Sequence, residues 1–150
     1  MKKLTDFLLQ QQPFYDKLVI TEMSKASMRA TNLNRRIAME VKKWQFVYYK
    51  NPRGKKIPHW HNEGGCYLGI GYDTPIDWAG NAEDALSLIY PREHFTLHTC
   101  DRGIRCRIHL SPQDGEATIG DGVADTLSEA ICIAVLKANA WRKKKGLYRK

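Results

Sequence analysis

The chain has 150 residues, 43% of them hydrophobic, and a formal net charge of +8 at pH 7. This length and composition suit one domain with one hydrophobic core and exclude an intrinsically disordered chain. No apolar run approaches the roughly 18–20 residues that span a bilayer, and residues 1–12 lack the cleavage site of a signal peptide. We therefore predict a cytoplasmic protein with no membrane partner.

Positive charge is concentrated in two segments. Residues 25–56 contain ten Lys or Arg and one acid, and residues 137–150 contain seven Lys or Arg and no acid. Residues 57–130, between them, contain four arginines and twelve acids. Such segregation is typical of a basic surface that binds a polyanion. The alternative is that both segments are solvated helix ends.

The first third of the chain is predicted to be helical. Pro13 separates a short first helix from a second helix over residues 14–28. Thr31 and Asn32 are good N-cap residues for a third helix. Its apolar residues recur at helical spacing, at Leu33, Ile37, Val41 and Trp44.

The middle of the chain alternates between strands and turns. The β-branched and aromatic residues of 45–49 predict a strand, and the Pro-Arg-Gly segment within 51–56 predicts a basic turn. Residues 57–65 are predicted to be a loop and residues 66–70 a short strand. Asn81 is then a suitable cap for the next helix.

Residues 94–100 and 104–110 alternate between apolar and polar side chains and predict a β-hairpin. The two apolar sets must share one face if the hairpin is to bury them, and this condition fixes the register. Apolar partners are then Phe95 with Ile108, Leu97 with Cys106, and Thr99 with Ile104. Gly103 in the loop is free to adopt a left-handed conformation.

The end of the chain contains a further strand near residues 117–119 and a long helix. Thr126 and Glu129 form a capping box that opens this helix, which is predicted over residues 127–143. Its basic end suits the helix dipole. The mixture of helices with a small, mainly antiparallel sheet indicates the α+β class.

Three helical stretches carry a resemblance to a known family. They are residues 33–44, which end in a tryptophan, residues 78–88, and residues 124–138, which open with the capping box. Together they are similar to the phage ABA sandwich domain of small phage and prophage proteins, over about residues 32 to 140. The family usually has a glycine before the tryptophan, where this chain has Lys43.

The resemblance implies an α/β/α layered sandwich with extra amino-terminal helices, located in the host cell cytoplasm. Its domain division is an amino-terminal helical extension at residues 1–30, the sandwich-like domain at residues 31–143 and a basic tail at residues 144–150. The family has no established activity, so it implies no catalytic residues.

The hairpin register creates the first candidate site. On its polar face His94 lies opposite His109, Thr96 opposite Arg107, and His98 opposite Arg105. Such a face can bind phosphate or carboxylate. The alternative is a polar face that is solvated or covered by the amino-terminal helices. The candidate ligand- or anion-binding residues are His94, His98, Arg105, Arg107 and His109.

The basic segments supply the second candidate site, for nucleic acid or for a protein partner. Tyr48, Tyr49 and Trp60 lie near its basic turn in the sequence, and single-strand binders combine aromatic and basic residues in this way. Its candidate residues are Arg35, Arg36, Lys42, Lys43, Arg53, Lys55, Lys56, Arg142, Lys143, Lys144 and Lys145.

Histidine and cysteine side chains give only a weak metal motif. His59, His61 and Cys66 could ligate zinc together with Glu63, but the paired spacing of common zinc sites is absent. The four cysteines form no C-x-x-C pair, which favours reduced and buried thiols, although a Cys100–Cys106 bridge is conceivable in an oxidising compartment. We therefore predict no metal and no cofactor.

Three functions fit these observations. The first is a non-catalytic, phage-encoded protein that inhibits a host process, such as a bacterial defence system, by forming a stoichiometric complex with a host protein or ribonucleoprotein. The second is a salt-sensitive nucleic-acid-binding accessory protein that uses residues 25–56 and 137–150. The third is a small nucleotide-binding protein or hydrolase that uses the His/Arg sheet face.

Overall fold

The computed structural model describes residues 15–70, 74–110 and 117–146. Its helices are α1 (Tyr15–Arg36), the short α2 (Ala82–Leu86) and α3 (Leu127–Lys145), with a π turn at Ile37–Val41 and a 3₁₀ turn at Trp78–Gly80. Its strands are β1 (Gln45–Lys50), β2 (Lys56–His61), β3 (Tyr67–Ile70), β4 (Glu93–Cys100), β5 (Gly103–Leu110) and β6 (Thr118–Ala124). They form two antiparallel sheets, β1-β2-β3 and β4-β5-β6. The predicted α+β class is confirmed. Within the described ranges, no helix has the length and apolar content needed to cross a bilayer.

Helix α3 packs very closely on β5 and β6. A Cβ atom on Gly120 would overlap the carbonyl oxygen of Ala134, and one on Gly122 would overlap that of Ala130. Small residues on both elements therefore let the helix backbone approach the strand. The ends of α3 are capped as its sequence requires, since Thr126 accepts a hydrogen bond from the Glu129 backbone NH and Gly146 ends the helix in a left-handed conformation.

The 3₁₀ turn joins α1 to α3 on the other side of the core. The buried Asn34 of α1 donates to Asp77 at 2.7 Å and accepts from the backbone NH of Ala79 at 2.8 Å. Ser128 of α3 donates to the Ala79 carbonyl at 2.6 Å. These hydrogen bonds satisfy the polar groups of a turn that would otherwise be buried without partners.

The start of the described chain differs from the prediction. Helix α1 runs without a break through Thr31 and Asn32, so the N-cap predicted at these residues is wrong. The reason is tertiary packing, because the next residues, Leu33 and Asn34, contact the core from one continuous helix. The helix predicted before Pro13 lies outside the described residues.

Strand β2 was predicted to be a loop, and this prediction is wrong. Residues 56–61 pair with β1 along their whole length, with Tyr48 opposite Pro58 and Phe46 opposite Trp60. Proline is unfavourable in a central strand because it cannot donate to the ladder. Here the pairing of β2 with β3 begins only at His59, so Pro58 displaces no hydrogen bond to β3.

The predicted β4–β5 register is confirmed at every pair, whereas the predicted burial holds for only one strand. Cys106 and Ile108 of β5 are buried, but Phe95 is 42% exposed and Leu97 39% exposed. Helix α3 packs mainly on β5 and β6, and β4 forms the edge of the sheet. The apolar side chains of β4 therefore extend beyond the helix that covers their neighbours.

The four cysteines are free. Cys106 and Cys132 are buried, as predicted, and Cys66 is exposed, contrary to prediction. Burial raises the pKa of Cys106 to about 11 and that of Cys132 to about 12, with nearby carboxylates adding to both shifts.

Candidate nucleic-acid interface

The β1–β2 hairpin presents two different faces. On the inner face, Phe46 and Trp60 stack at 4.7 Å and join the core, with the guanidinium of Arg35 5.6 Å from the centre of the Phe46 ring. Arg35 therefore packs against the core, where it does not add to an exposed basic surface.

The outer face carries a row of exposed and half-buried aromatic rings, which we name the aromatic row: Tyr49, His59 and His61. The ring centres of Tyr49 and His59 are 6.2 Å apart, and those of His59 and His61 are 4.8 Å apart. Tyr49 is 48% exposed. Nucleic-acid bases stack on aromatic rings presented in this way.

A basic turn lies at the far end of the hairpin. Its exposed cations form the turn patch, which consists of Lys50, Arg53, Lys55 and Lys56. The side-chain oxygen of Asn51 accepts hydrogen bonds from the backbone NH groups of Arg53 at 3.0 Å and Lys55 at 2.9 Å. These Asx-type hydrogen bonds hold the turn in one conformation and so fix the backbone positions from which its charged side chains extend.

The two basic segments of the sequence meet at the other end of the hairpin. Asn139 of α3 donates to the backbone carbonyl of Glu40 at 3.1 Å, which ties the last turns of α3 to the π turn. Lys42 and Lys43 follow the π turn, and Lys143 lies one helical turn beyond Asn139. We name Lys42, Lys43 and Lys143 the terminal patch.

Lys43 occupies an unfavourable position in two respects. Its φ of 59° is left-handed, a conformation that costs a non-glycine residue roughly 1–2 kcal/mol. The neighbouring Lys143 amine, partial burial and charge repulsion also lower the pKa of Lys43, against the opposing effect of Glu63 and Glu40. Two lysine amines thus interact beside a backbone position that glycine would occupy at less cost.

Other residues predicted to be basic contacts lie elsewhere. Arg142 is buried and donates to both carboxylate oxygens of the buried Glu93 at 2.9 and 2.8 Å, beneath the ring of Tyr90. It therefore does not belong with the exposed lysines around it. Arg36 is exposed and pairs with Glu40 at 2.8 Å. Lys144 and Lys145 are exposed at the end of α3, next to the terminal patch in sequence.

The structure brings the predicted His/Arg face together. His94 lies opposite His109 and His98 opposite Arg105, with His94 and His98 exposed. Asp121 of β6 also lies on this face, 3.4 Å from Arg105 and 3.8 Å from Arg107. This carboxylate was not predicted to lie on the face, because β6 was predicted to end before it. Asp121 offsets part of the positive charge that made the face a candidate anion site.

His109 is engaged at both ring nitrogens. Its Nε2 is 3.3 Å from the Thr96 hydroxyl and its Nδ1 is 3.1 Å from the Thr118 hydroxyl. Each ring nitrogen therefore has a hydroxyl partner on a neighbouring strand of the same sheet. This geometry favours a structural role for the centre of the face.

The weak zinc motif does not assemble into a ligand set. His61 contacts the Gly65 carbonyl at 3.0 Å, and its ring meets that of His59 edge-on. Across residues 15–70, 74–110 and 117–146, no three His, Cys, Asp or Glu side chains are grouped so that they could hold a metal ion.

Comparisons with protein-family models, with curated proteins and with solved structures give no match for this chain. The resemblance to the phage ABA sandwich domain therefore stays an expectation from the sequence.

Proposed function

We propose that the protein is a non-catalytic nucleic-acid-binding protein that holds a single strand along the outer face of the β1–β2 hairpin. The observation that carries this proposal is Lys43. Its left-handed backbone costs stability, and the neighbouring Lys143 amine lowers its pKa. Costs of this kind concentrate at functional sites, and a bound phosphate between the two ammonium groups would offset the repulsion.

The arrangement has the parts that single-strand binding requires. Arg53 and Lys55 of the turn patch lie at the opposite end of β2 from the terminal patch, and β2 spans about 17 Å at the usual rise of a strand. The aromatic row lies between them on the outer face, whereas the register places Lys50 and Lys56 on the face of Tyr48. Phosphates near the two patches would place the intervening bases over the rings.

Salt dependence provides the direct test. Binding of a fluorescently labelled single-stranded oligonucleotide is measured by anisotropy at several salt concentrations. The logarithm of the affinity should fall linearly with the logarithm of salt concentration, with a slope of about −0.7 for each phosphate neutralised. Lys43→Ala and Lys143→Ala should each reduce the steepness of that slope by up to about 0.7. Lys137→Ala is the matched control, because this exposed α3 lysine lies about 120° around the helix from Lys143.

Strand β1 offers a second matched pair of variants. Tyr49 belongs to the aromatic row, whereas Tyr48 is 63% exposed on the opposite face. Tyr49→Ala should weaken single-strand binding by about 1–3 kcal/mol and Tyr48→Ala should leave it nearly unchanged. Equal losses for both variants, or an affinity that ignores salt, would contradict the proposal.

The phage inhibitor is the second candidate function, and position 43 also favours it. The left-handed φ of Lys43 is the conformation that glycine adopts readily, and glycine is the usual residue of the phage ABA sandwich family before its tryptophan. The partly exposed Phe95 and Leu97 on edge strand β4 give a protein partner an apolar contact.

An inhibitor of this kind acts by forming a stoichiometric complex in the host cytoplasm. Tagged protein is incubated with nuclease-treated bacterial lysate, and one host protein should be recovered in a fixed ratio. Replacing Phe95 and Leu97 with serine should abolish that complex. Recovery of nucleic acid alone from untreated lysate would contradict the inhibitor function and would be consistent with single-strand binding.

A further inference from the structure

A cleft of about 580 Å³ lies between α1, the β4–β5 turn, the end of β6 and the first turns of α3. Its volume is within the range of small-molecule sites. Leu33, Val123 and Ile133 contribute apolar walls, and three arginines and two carboxylates line it as well. A ligand with an apolar body that also carries hydrogen-bond donors and an anionic group fits such a lining.

One of the two carboxylates that line the cleft belongs to a largely buried residue. Glu129 is 8% exposed, and within the described residues its side chain makes no hydrogen bond or ion pair. Its backbone NH is already occupied by Thr126. The buried side-chain atoms without a hydrogen-bond partner do not include its carboxylate oxygens, which are therefore accessible to N–H groups of a ligand. Glu129 therefore favours a ligand that carries N–H donors.

The arginines that line the cleft can bind an anionic group of a ligand. No described acid lies within ion-pair distance of Arg102, which is exposed. Arg29 is only loosely paired, 3.8 Å from an Asp125 side chain that is 81% exposed. Arg36 is held by Glu40 at 2.8 Å. Arg102 and Arg29 are thus the groups best able to bind a ligand phosphate.

We propose that this cleft binds a guanine nucleotide. The base lies between the apolar walls, and Glu129 accepts hydrogen bonds from the ring N–H and the exocyclic amine of guanine. The phosphate pairs with Arg102 and Arg29. Adenine offers one donor beside a ring acceptor, and the acceptor repels a carboxylate. Inorganic phosphate or a small amino acid would leave much of the cleft unfilled.

The cleft and the nucleic-acid interface lie at different ends of α3. Glu129 and Lys143 are fourteen residues apart on this helix, which corresponds to about 21 Å. Binding of a mononucleotide in the cleft therefore does not depend on the proposed single-strand interface. Variants of one site should leave the other unchanged.

Calorimetric titration of the full chain with GMP, AMP and inorganic phosphate tests the proposal. GMP should bind at least tenfold more tightly than AMP, and phosphate more weakly than either nucleotide. Glu129→Gln should reduce the affinity for GMP to that for AMP. Glutamine is also accepted at this position of a capping box, so the helix start should be preserved. Arg102→Ala should weaken GMP and AMP by the same factor. Lys43→Ala is the control and should change neither.

Three results would overturn the proposal. One is the absence of GMP binding at millimolar ligand, and another is equal affinity for GMP, AMP and phosphate. The third is loss of GMP binding in Lys43→Ala, since this would place the nucleotide on the terminal patch. Circular dichroism melting of Glu129→Gln verifies that an affinity change is not caused by unfolding.

Discussion

The buried ion pair of Glu93 and Arg142 provides a test of whether Arg142 stabilises the fold and does not bind nucleic acid. The side chains are 0% and 5% exposed, and one guanidinium nitrogen donates to both carboxylate oxygens. Arg142→Met keeps much of the side-chain volume but leaves the Glu93 carboxylate without its counter-charge. Removing one partner of such a pair typically costs about 3–5 kcal/mol of unfolding free energy. In a domain of this size that loss lowers the Tm by about 10 °C.

The loss should also depend on pH in a defined direction. Burial raises the pKa of Glu93, and the charge and hydrogen bonds of Arg142 oppose that rise. Without Arg142 the pKa of Glu93 rises further above its unfolded value of about 4.3. A carboxyl group with a raised pKa in the folded state contributes most stability below its unfolded pKa and loses it as pH rises through its folded pKa. The deficit of Arg142→Met should therefore be largest at neutral pH and shrink toward pH 4.

Urea unfolding followed by tryptophan fluorescence measures this deficit, because Trp60 and Trp78 are buried. Lys143→Met, at the next and exposed position, is the matched control and should change stability by less than about 0.5 kcal/mol. In the oligonucleotide assay the two variants should differ in the other direction. Lys143→Met should weaken binding, whereas Arg142→Met should bind as tightly as the parent under conditions in which it is folded. An Arg142→Met protein as stable as the parent, or a stability deficit that does not change with acid, would contradict the structural role of Arg142.

Three further predictions concern packing, backbone strain and thiol chemistry. Gly122→Ala should lower the unfolding free energy by about 1–3 kcal/mol in urea titrations, because its Cβ would overlap the Ala130 carbonyl; an unchanged midpoint would contradict the close approach of α3. Lys43→Gly should raise the unfolding free energy by about 1 kcal/mol and reduce the affinity for the oligonucleotide. An increase in both quantities would contradict a binding role for Lys43. Iodoacetamide at pH 8 should label the exposed Cys66 well before the buried Cys106. Burial raises the pKa of Cys106 from 9.0 to about 11, which makes its reactive thiolate roughly 100-fold less abundant than at the ordinary pKa. Mass spectrometry of the peptides measures the order of labelling.

Local patterns in the sequence determined several elements of the fold. Alternating apolar residues fixed the β4–β5 register pair by pair, because a slip of one residue would turn every side chain to the other face. Thr126 and Glu129 located the start of α3, since capping depends on neighbours a few residues apart. Segregated charge located the two basic segments, although not their relation to each other.

Tertiary structure alone decided which of these residues face solvent and which meet. Arg142 and Lys143 are adjacent in a run of basic residues, yet one is buried against Glu93 and the other approaches Lys43. Strand β2 was hidden because Pro58 is tolerated only through the staggered start of β3. The cleft around Glu129 combines side chains from three separate parts of the chain. Contacts between such distant residues depend on how helices and strands pack, and neither periodicity nor capping encodes that packing.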